Sequence, residues 1–374
     1  MLKKDTIVID ENIPIIDVIL SDYHNIIKVP GREITNQLLK TTNANFLICR
    51  SQTKVNENLL TGTYIRFVAT ATSGSDHIDT NFLLQSGITF HSAIGSNATS
   101  VAEYVIFSIL HWSKLNHISL QNTTIGIIGF GNIGQRLADF GEKIGLKIIV
   151  NDPPLRKSGF SFPNYTTYSE IEDLFTTCNI ITNHVPLTQN CEFPTSNLIN
   201  SDLIAKLRDN ALFIHTSRGG VVDEAALKQI KNEKNITFVI DVWESEPNFD
   251  SELAEKCLIA TPHIAGYSFD GKLNGSLMML KALSSHTGIE YDLKLLSKAI
   301  SNDIKTSIAR LNQKELYEKM DESRAFLRDK EIFAKTFAED REGKARMFDE
   351  IRKNYPARRE LLISDFDKLT ISQR

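Results

Sequence analysis

The run Thr124-Ile125-Gly126-Ile127-Ile128-Gly129-Phe130-Gly131-Asn132-Ile133-Gly134 constrains this chain more than any other stretch. The β-branched segment Ile125 to Ile128 leads into glycines spaced G-x-G-x-x-G. A helical stretch from Gln135 to Lys143 follows, and then a second apolar run from Leu146 to Val150 that closes at Asp152. Strand, tight turn, helix and strand in that order begin a doubly wound parallel sheet. The three glycines serve different ends, since Gly129 permits the turn, Gly131 lets the backbone approach a pyrophosphate, and Gly134 lets the helix pack close to the strand. The free N–H groups of the helix N-terminus then face the anion. Asp152 lies eighteen residues beyond Gly134, where a carboxylate accepts hydrogen bonds from the adenosine ribose and repels a 2′-phosphate. NAD is therefore expected rather than NADP. Arg156 and Lys157 are the counter-signal, because a basic pair can accommodate a 2′-phosphate; the other reading of them is a solvated loop.

Bulk properties exclude several classes. With 374 residues, 41% of them hydrophobic, the chain can bury a sizeable core in two or three domains. A net charge of −4 gives no global attraction to nucleic acid or to an anionic membrane, so neither is expected as a partner. Cys49, Cys178, Cys191 and Cys257 lie far apart with no C-x-x-C pair. They read as reduced, mostly structural thiols, with no zinc site and no disulfide framework. No apolar run has the length of a membrane span or of a signal peptide's core, which makes the cytoplasm the expected compartment.

Before the glycine turn, strand-like runs at Ile7–Ile9, Phe46–Cys49 and Phe67–Ala69 alternate with helix-compatible segments, as in a first α/β domain. Ser100 to Trp112 is apolar almost all round and reads as a buried helix, with Asn97 and Thr99 as candidate N-caps. Further strands are expected at Ile180–Thr182, Ala211–His215 and Thr237–Val242. From about Tyr291 onward about two residues in five are charged, yet Leu316, Tyr317, Phe326, Leu327, Phe333, Phe337, Phe348, Ile351 and Tyr355 recur among them. So many large apolar side chains predict a folded segment. Its apolar stripe packs either on a second subunit or, as a helical extension, on its own.

Three segments after the cofactor turn carry the chemistry. His215 to Gly220 is the end of an apolar strand followed by Arg218 and two glycines. An arginine at the C-terminal edge of such a strand faces the crevice where these sheets bind ligands, and its planar fork grips a carboxylate in two hydrogen bonds. Asp241 to Pro247 is another strand end, rich in carboxylates, and Thr261-Pro262-His263-Ile264-Ala265-Gly266-Tyr267 is the third. Oxidising a secondary alcohol by hydride loss requires a base for the hydroxyl proton, which His263 can be. A carboxylate such as Glu246 on its far nitrogen would orient the ring. Taken singly, Arg218 and Glu246 read as surface ion-pairing groups and His263 as a satisfied loop histidine.

Taken together and in this order, the segments resemble the D-2-hydroxyacid dehydrogenase family. The resemblance narrows to its erythronate-4-phosphate dehydrogenase branch through Arg50-Ser51-Gln52-Thr53-Lys54-Val55-Asn56, Ala69 to Asp79, Ser96-Asn97-Ala98, Thr261 to Tyr267 and Phe348 to Glu360. It runs from the first strand to about Leu362. The resemblance implies a Rossmann-type doubly wound parallel-sheet cofactor domain (residues 99–264) inserted in a flavodoxin-like α/β substrate domain (residues 1–98, completed by about 265–290). A small C-terminal α/β dimerisation domain (residues 291–374) follows. It implies a cytoplasmic homodimer that oxidises 4-phospho-D-erythronate to (3R)-3-hydroxy-2-oxo-4-phosphooxybutanoate in vitamin B6 biosynthesis, with NAD or a linked oxidant as hydride acceptor. Arg218, Glu246 and His263 match the catalytic positions, and Ser51, Thr72 and Tyr267 the substrate-contacting ones. Gly129, Gly131, Asn132, Ile133, Gly134, Asp152, Val185, Thr216, Ser217, Arg218, Asp241 and Gly266 match cofactor positions, and no metal is implied. The substrate's phosphate needs donors, and Arg50, Ser51 and Lys54 cluster where a strand ends.

Departures from the branch pattern are Ala69 and Ser73 in the Ala69–Gly74 segment, Ser96 where cysteine is usual, Val185 where a threonine commonly precedes Pro186, and His215 at a position that is usually small or apolar. Val185 removes a hydroxyl near the expected cofactor path. Two alternatives share the main features: a sister dehydrogenase for phosphoglycerate, glycerate or lactate, and a non-catalytic NAD(H)-sensing binding protein. Formate dehydrogenases place a glutamine beside the catalytic histidine, which argues against that class here.

Overall fold

A computed structural model describes residues 4–299 and 305–363. The chain divides into two units, Met1–Asn97 with Ser268–Ile304, and Ala98–Tyr267 with Lys305–Arg374.

The first unit is built on a five-stranded parallel sheet of β1 (Thr6–Asp10), β2 (Asn25–Val29), β3 (Phe46–Cys49), β4 (Phe67–Thr70) and β5 (Thr89–Ser92), in the order β2-β1-β3-β4-β5. That is the flavodoxin-like arrangement. β3 and β4 are buried along their whole length, which is why they read as unbroken apolar runs. Alternate residues serve the two faces. Ile7, Ile9, Phe46, Ile48 and Phe67 pack with Leu273, Met279, Leu280 and Leu283 of helix Phe269–Thr287, while Val8, Leu47 and Val68 pack with Leu39, Leu59 and Leu83. The helix starts where the Ser268 hydroxyl accepts the Gly271 N–H at 2.9 Å. It lies against the loop after β4 at Gly275, where a Cβ would stand 3.0 Å from the Ala71 carbonyl oxygen.

The second unit holds a seven-stranded parallel sheet of β6 (Thr124–Ile128), β7 (Lys147–Asn151), β8 (Thr166–Tyr168), β9 (Ile180–Asn183), β10 (Leu212–His215), β11 (Thr237–Ile240) and β12 (Ile259–Ala260). Its order, β12-β11-β10-β9-β6-β7-β8, is doubly wound, with the direction of winding reversing between β6 and β9. The crevice outside the strand ends at that reversal is where such sheets take a dinucleotide. Helix Ala98–Asn116 is buried from Ala98 to Leu110 without interruption, consistent with its all-round apolar sequence.

The aromatic stripe of the C-terminal segment packs on its own chain. Phe107 of helix Ala98–Asn116 stacks on Tyr317 with centroids 5.3 Å apart and meets Phe326 at 5.4 Å. Phe249 meets Phe333 at 4.5 Å and Phe337 at 5.7 Å. The described part of this segment is mostly helical (Gln313–Arg324, Phe326–Ala334 and Arg341–Lys353), with one parallel bridge between Thr306 and Leu362.

β2, β5, β8 and β12 were not legible as strands, and they are the four edges of the two sheets. Edge strands are half exposed or very short, so they lack the apolar run that marks a central strand.

Candidate active site

The glycine turn has the geometry its sequence requires. Gly129 has φ +88°, and a Cβ there would come within 3.1 Å of the His184–Val185 backbone; a Cβ on Gly134 would stand 2.2 Å from the Gly129 carbonyl oxygen. Around Gly131 no atom lies within 4 Å of a Cβ position. A backbone bare on that side, opening helix Asn132–Lys143, fits a pyrophosphate. Asp152 is tied to the turn, because its Oδ2 accepts the Phe130 N–H at 2.8 Å and its Oδ1 accepts the Leu155 N–H at 2.9 Å. A carboxylate has about four acceptor sites, so these bonds aim it without exhausting it for a ribose diol. Arg156 lies over the Tyr168 ring at 4.4 Å and Lys157 pairs with Glu192. Both counter-signal cations are thus engaged.

The departures at Val185 and His215 now have physical accounts. Val185 closes on the glycine turn, its Cγ1 3.0 Å from the Gly129 Cβ position, so its side chain packs there. His215 belongs to a buried polar ladder across the C-terminal ends of β9 and β10. Asn183 meets its Nδ1 at 3.0 Å, and the Ser217 hydroxyl donates to Asn183. Beside it, His184 bridges Thr182 at 3.0 Å and Thr216 at 3.3 Å. Burial pushes both imidazoles down to about 3, so both stay neutral. The hydroxyls of Thr216 and Ser217 are both engaged in this ladder.

Arg218 follows the ladder, its guanidinium half-buried and donating to the Ser217 carbonyl at 2.8 Å. Gly219 lets this loop touch the next, since a Cβ would lie 2.1 Å from the Trp243 carbonyl oxygen. In that next loop the Glu246 Oε1 accepts the Trp243 N–H at 2.9 Å, and its Oε2 meets His263 Nδ1 at 2.8 Å. His263 Nε2 is left for proton transfer, with the side chain 28% exposed. Burial opposes the Glu246 charge, but His263, the Trp243 N–H and Arg352 outweigh it and hold the carboxyl below its ordinary range. Asp241, at the end of β11, is buried and accepts from the Thr261 hydroxyl at 2.6 Å and from the Ile264 and Ala265 N–H groups at 2.8 and 3.0 Å. These bonds shape the histidine loop. His263 itself has φ +57°, a left-handed conformation that this loop over-determines.

Tyr267 closes the same loop, edge-on to Tyr355 with centroids 5.5 Å apart. Gly266 precedes it. Glu224 adds a carboxyl behind Glu246, with its Oε1 accepting the Glu244 N–H at 2.7 Å. Burial, together with Glu244, Asp250 and Glu246, pushes it up to about 7 from 4.5. The folded chain therefore binds a proton more tightly here than the unfolded chain. Stability from this group is full below about pH 4.5 and is lost as pH rises through 7, by about 3 kcal/mol at most. Glu224→Gln keeps the acceptor and removes the titration. Its melting temperature is expected to exceed that of the parent at pH 8 and to match it or fall below it at pH 5. An equal shift at both pH values would exclude this account.

Arg50, Ser51 and Thr72 belong to the first unit. The Thr72 hydroxyl is anchored at 2.8 Å to Thr70 and at 3.0 Å to the Gly74 carbonyl, Ser51 is exposed, and Arg50 is half-buried at the end of β3. Lys54 is exposed. The sequence reading missed Lys272, on the first turn of helix Phe269–Thr287. Burial and the neighbouring Arg50 charge hold its ammonium below the usual lysine range. Neither cation has a carboxylate partner among the described residues. No local motif flags Lys272, because Arg50 is more than two hundred residues away in sequence.

The sequence profile described as "D-isomer specific 2-hydroxyacid dehydrogenase, NAD binding domain" matches residues 105–265. An erythronate-4-phosphate dehydrogenase of Pseudomonas putida is 34% identical over 367 residues, 95% of this chain and 93% of that protein. The chain belongs to the D-2-hydroxyacid dehydrogenases, in their erythronate-4-phosphate dehydrogenase branch. The Hahella chejuensis member of the branch is 41% identical over 290 residues, 77% of this chain and 74% of its own. Among solved structures of the wider family, 3-phosphoglycerate dehydrogenase of Entamoeba histolytica with NAD+ bound superposes with a TM-score of 0.63 at 25% identity. It covers 76% of this chain and 97% of its own. NAD-dependent formate dehydrogenase of Staphylococcus aureus, at 20% identity and a TM-score of 0.61 over 76% of this chain and 96% of its own, shares the fold. As in the family, the second unit is a Rossmann NAD-binding domain. Among the described residues no helix is long and apolar enough to cross a membrane.

Proposed function

We propose that this chain oxidises the C2 hydroxyl of 4-phospho-D-erythronate to give (3R)-3-hydroxy-2-oxo-4-phosphooxybutanoate, with NAD as cofactor, on the way to pyridoxal 5′-phosphate. The observation that carries this reading is the His263–Glu246 pair at 2.8 Å on a loop of an NAD-binding sheet, in a chain whose near-full-length relatives bear the name of that enzyme. NAD, when bound, supplies the hydride acceptor. Gly129, Gly131, Asn132, Ile133 and Gly134 would hold its pyrophosphate, and Asp152 its ribose. Val185, Thr216, Ser217, Arg218, Asp241 and Gly266 would line its remaining length, with Asp241 acting through the loop it organises.

The chain's own residues do the rest. Arg218 grips the C1 carboxylate in a charge-assisted fork that fixes the C2 carbon. His263 takes the C2 hydroxyl proton on Nε2, while Glu246 on Nδ1 fixes the ring's tautomer and stabilises the imidazolium that forms. Tyr267 contacts the substrate from the same loop. In the first unit, Arg50 and Lys272 take the phosphate dianion, with Ser51 and Thr72 as further contacts. The resemblance also implies a cytoplasmic homodimer, with the segment from residue 291 onward contributing to the dimer.

The test follows NADH absorbance in both directions with the phosphorylated four-carbon acid, using 3-phosphoglycerate and D-lactate as controls. Selective turnover of the four-carbon acid is expected. Equal or better use of a control assigns a sister dehydrogenase, and NADH binding without turnover of any acid assigns a sensor. Arg50→Ala and Lys272→Ala are each expected to raise KM for the phosphorylated acid roughly ten- to hundredfold, the worth of a charged hydrogen bond. An unchanged KM would remove that cation from the phosphate site.

A further inference from the structure

Tyr267 ends the histidine loop with its backbone tied and its ring enclosed. Its N–H donates to the Ile264 carbonyl at 2.8 Å, and its own carbonyl accepts from Arg324 at 3.1 Å. The ring is only half-buried and would by itself be free to turn about its side-chain bonds. Two side chains of the C-terminal segment stand against it. Tyr355 meets it edge-on, with 89° between the ring planes and centroids 5.5 Å apart, and the guanidinium carbon of Arg352 lies 5.8 Å from its centroid. An edge-to-face pair sets the positive rim of one ring against the negative face of the other, so it fixes an orientation as well as burying area.

Tyr355 is itself immobilised. It is buried, and its hydroxyl donates to Asp329 Oδ2 at 2.9 Å while accepting from Arg358 at 3.1 Å. Arg358 also forks onto Asp329, reaching Oδ1 at 2.9 Å and Oδ2 at 2.6 Å. Burial and the Asp329 charge keep the phenol protonated, so it remains the donor. Asp329 belongs to helix Phe326–Ala334, and Tyr355 and Arg358 follow helix Arg341–Lys353. A buried polar network within the C-terminal segment thus fixes the ring on which Tyr267 rests.

We propose that Tyr355 is a positioning residue for substrate binding: anchored by Asp329 and Arg358, it holds the Tyr267 ring in the orientation in which that ring meets the substrate. The inference rests on the reading of Tyr267 as a substrate contact. It gives the C-terminal segment a part in the substrate site of its own chain. A ring ordered beforehand loses no further rotamer freedom when the substrate arrives. The benefit therefore falls on KM, while proton transfer at His263, in which neither tyrosine takes part, keeps its rate.

The test is a double-mutant cycle on NAD-dependent oxidation of the phosphorylated four-carbon acid. Tyr267→Leu removes the ring that meets the substrate, and Tyr355→Leu removes its support. Tyr355→Leu alone is expected to raise KM for the acid about three- to tenfold, the worth of an aromatic pair, with kcat within about twofold of the parent and NADH affinity unchanged. In the Tyr267→Leu background, Tyr355→Leu should add nothing to KM. Tyr355→Phe keeps the ring and should hold KM within about twofold of the parent. A general loosening of the C-terminal segment would act independently of Tyr267, so an equal effect of Tyr355→Leu on KM in both backgrounds would overturn the proposal. A Phe variant as impaired as the Leu variant would do the same. If Tyr267→Leu raises KM and Tyr355→Leu does not, the proposal falls alone; if Tyr267→Leu leaves KM parental, the reading of Tyr267 fails and takes the proposal with it. If Tyr355→Leu does not fold, Tyr355→Met enters the same cycle. Should no acid turn over, the cycle is read instead from binding of the phosphorylated acid to the NADH complex, followed by nucleotide fluorescence, with the same outcomes deciding.

Discussion

Replacing His263 by asparagine is expected to lower kcat for oxidation of the 2-hydroxy acid by about 10²–10⁴-fold, the usual worth of a general base, with NADH binding retained. Asparagine is the informative substitution for two reasons. The position has φ +57°, where asparagine is favoured over other residues with a Cβ, so the loop keeps its path. Asparagine can also present an N–H to Glu246 where the imidazole Nδ1 now sits at 2.8 Å, while nothing replaces Nε2. The loss is therefore of the proton acceptor alone. Alanine would add a backbone cost and leave the Glu246 carboxylate without its partner, mixing stability with chemistry. Steady-state rates with the phosphorylated four-carbon acid, set beside NADH fluorescence titration and a melting curve, separate these effects. Retention of more than a tenth of the parental kcat would exclude His263 as the base.

The second large effect is on stability. Arg324 and Glu103 are both fully buried. One guanidinium nitrogen of Arg324 donates to Glu103 at 2.6 Å, and the other donates to the Ser100 hydroxyl at 2.7 Å and to the Tyr267 carbonyl at 3.1 Å. Glu103 Oε1 also accepts the Leu361 and Leu362 N–H groups at 2.6 and 2.7 Å. Burial, with the neighbouring Glu360 charge, pushes the Glu103 carboxyl up to about 7 against the pull of Arg324 and the two leucine N–H groups, so above that pH it is a carboxylate, and there Arg324→Met would leave the charge buried without its counter-ion. The expected cost is about 3–5 kcal/mol, or a fall of about 6–20 °C in melting temperature for a unit of this size. The added variant Glu103→Gln keeps an acceptor for both leucine N–H groups and removes the charge. Arg324→Met with Glu103→Gln is expected to recover most of the loss, because no uncompensated charge is then left buried. If the double variant is as unstable as the sum of the single ones, the pair is not coupled as described.

Much of this chain was legible in its sequence. The glycine turn, Asp152 and the strands at the centres of both sheets depend on local rules, since a backbone at φ +88° needs glycine and a strand covered on both faces must be apolar throughout. Arg218, Glu246 and His263 were candidates through the resemblance, and their placement has a related reason. Each stands just after the C-terminal end of a strand in a doubly wound sheet, and that topology gathers strand ends at one edge. His215 and Val185, unexplained as departures, become ordinary once neighbouring strands are known: one completes a polar ladder with Asn183, and the other packs on Gly129.

Sequence by itself determined the cofactor class and the α/β alternation of both sheets, because those follow from backbone conformation and from periodicity within a few residues; the candidate catalytic residues came from the order of three segments that resembles the D-2-hydroxyacid dehydrogenases. The tertiary structure alone decided what the long charged side chains do. Arg324 meets Glu103 across more than two hundred residues of sequence, Arg352 comes to rest against Tyr267, and Lys272 stands beside Arg50. It also decided that the C-terminal aromatic stripe covers its own chain. Apolar periodicity specifies that a face must be covered without naming the cover. A lysine or arginine is written alike in sequence whether it is solvated or buried, so its role emerges only when packing removes the water around it.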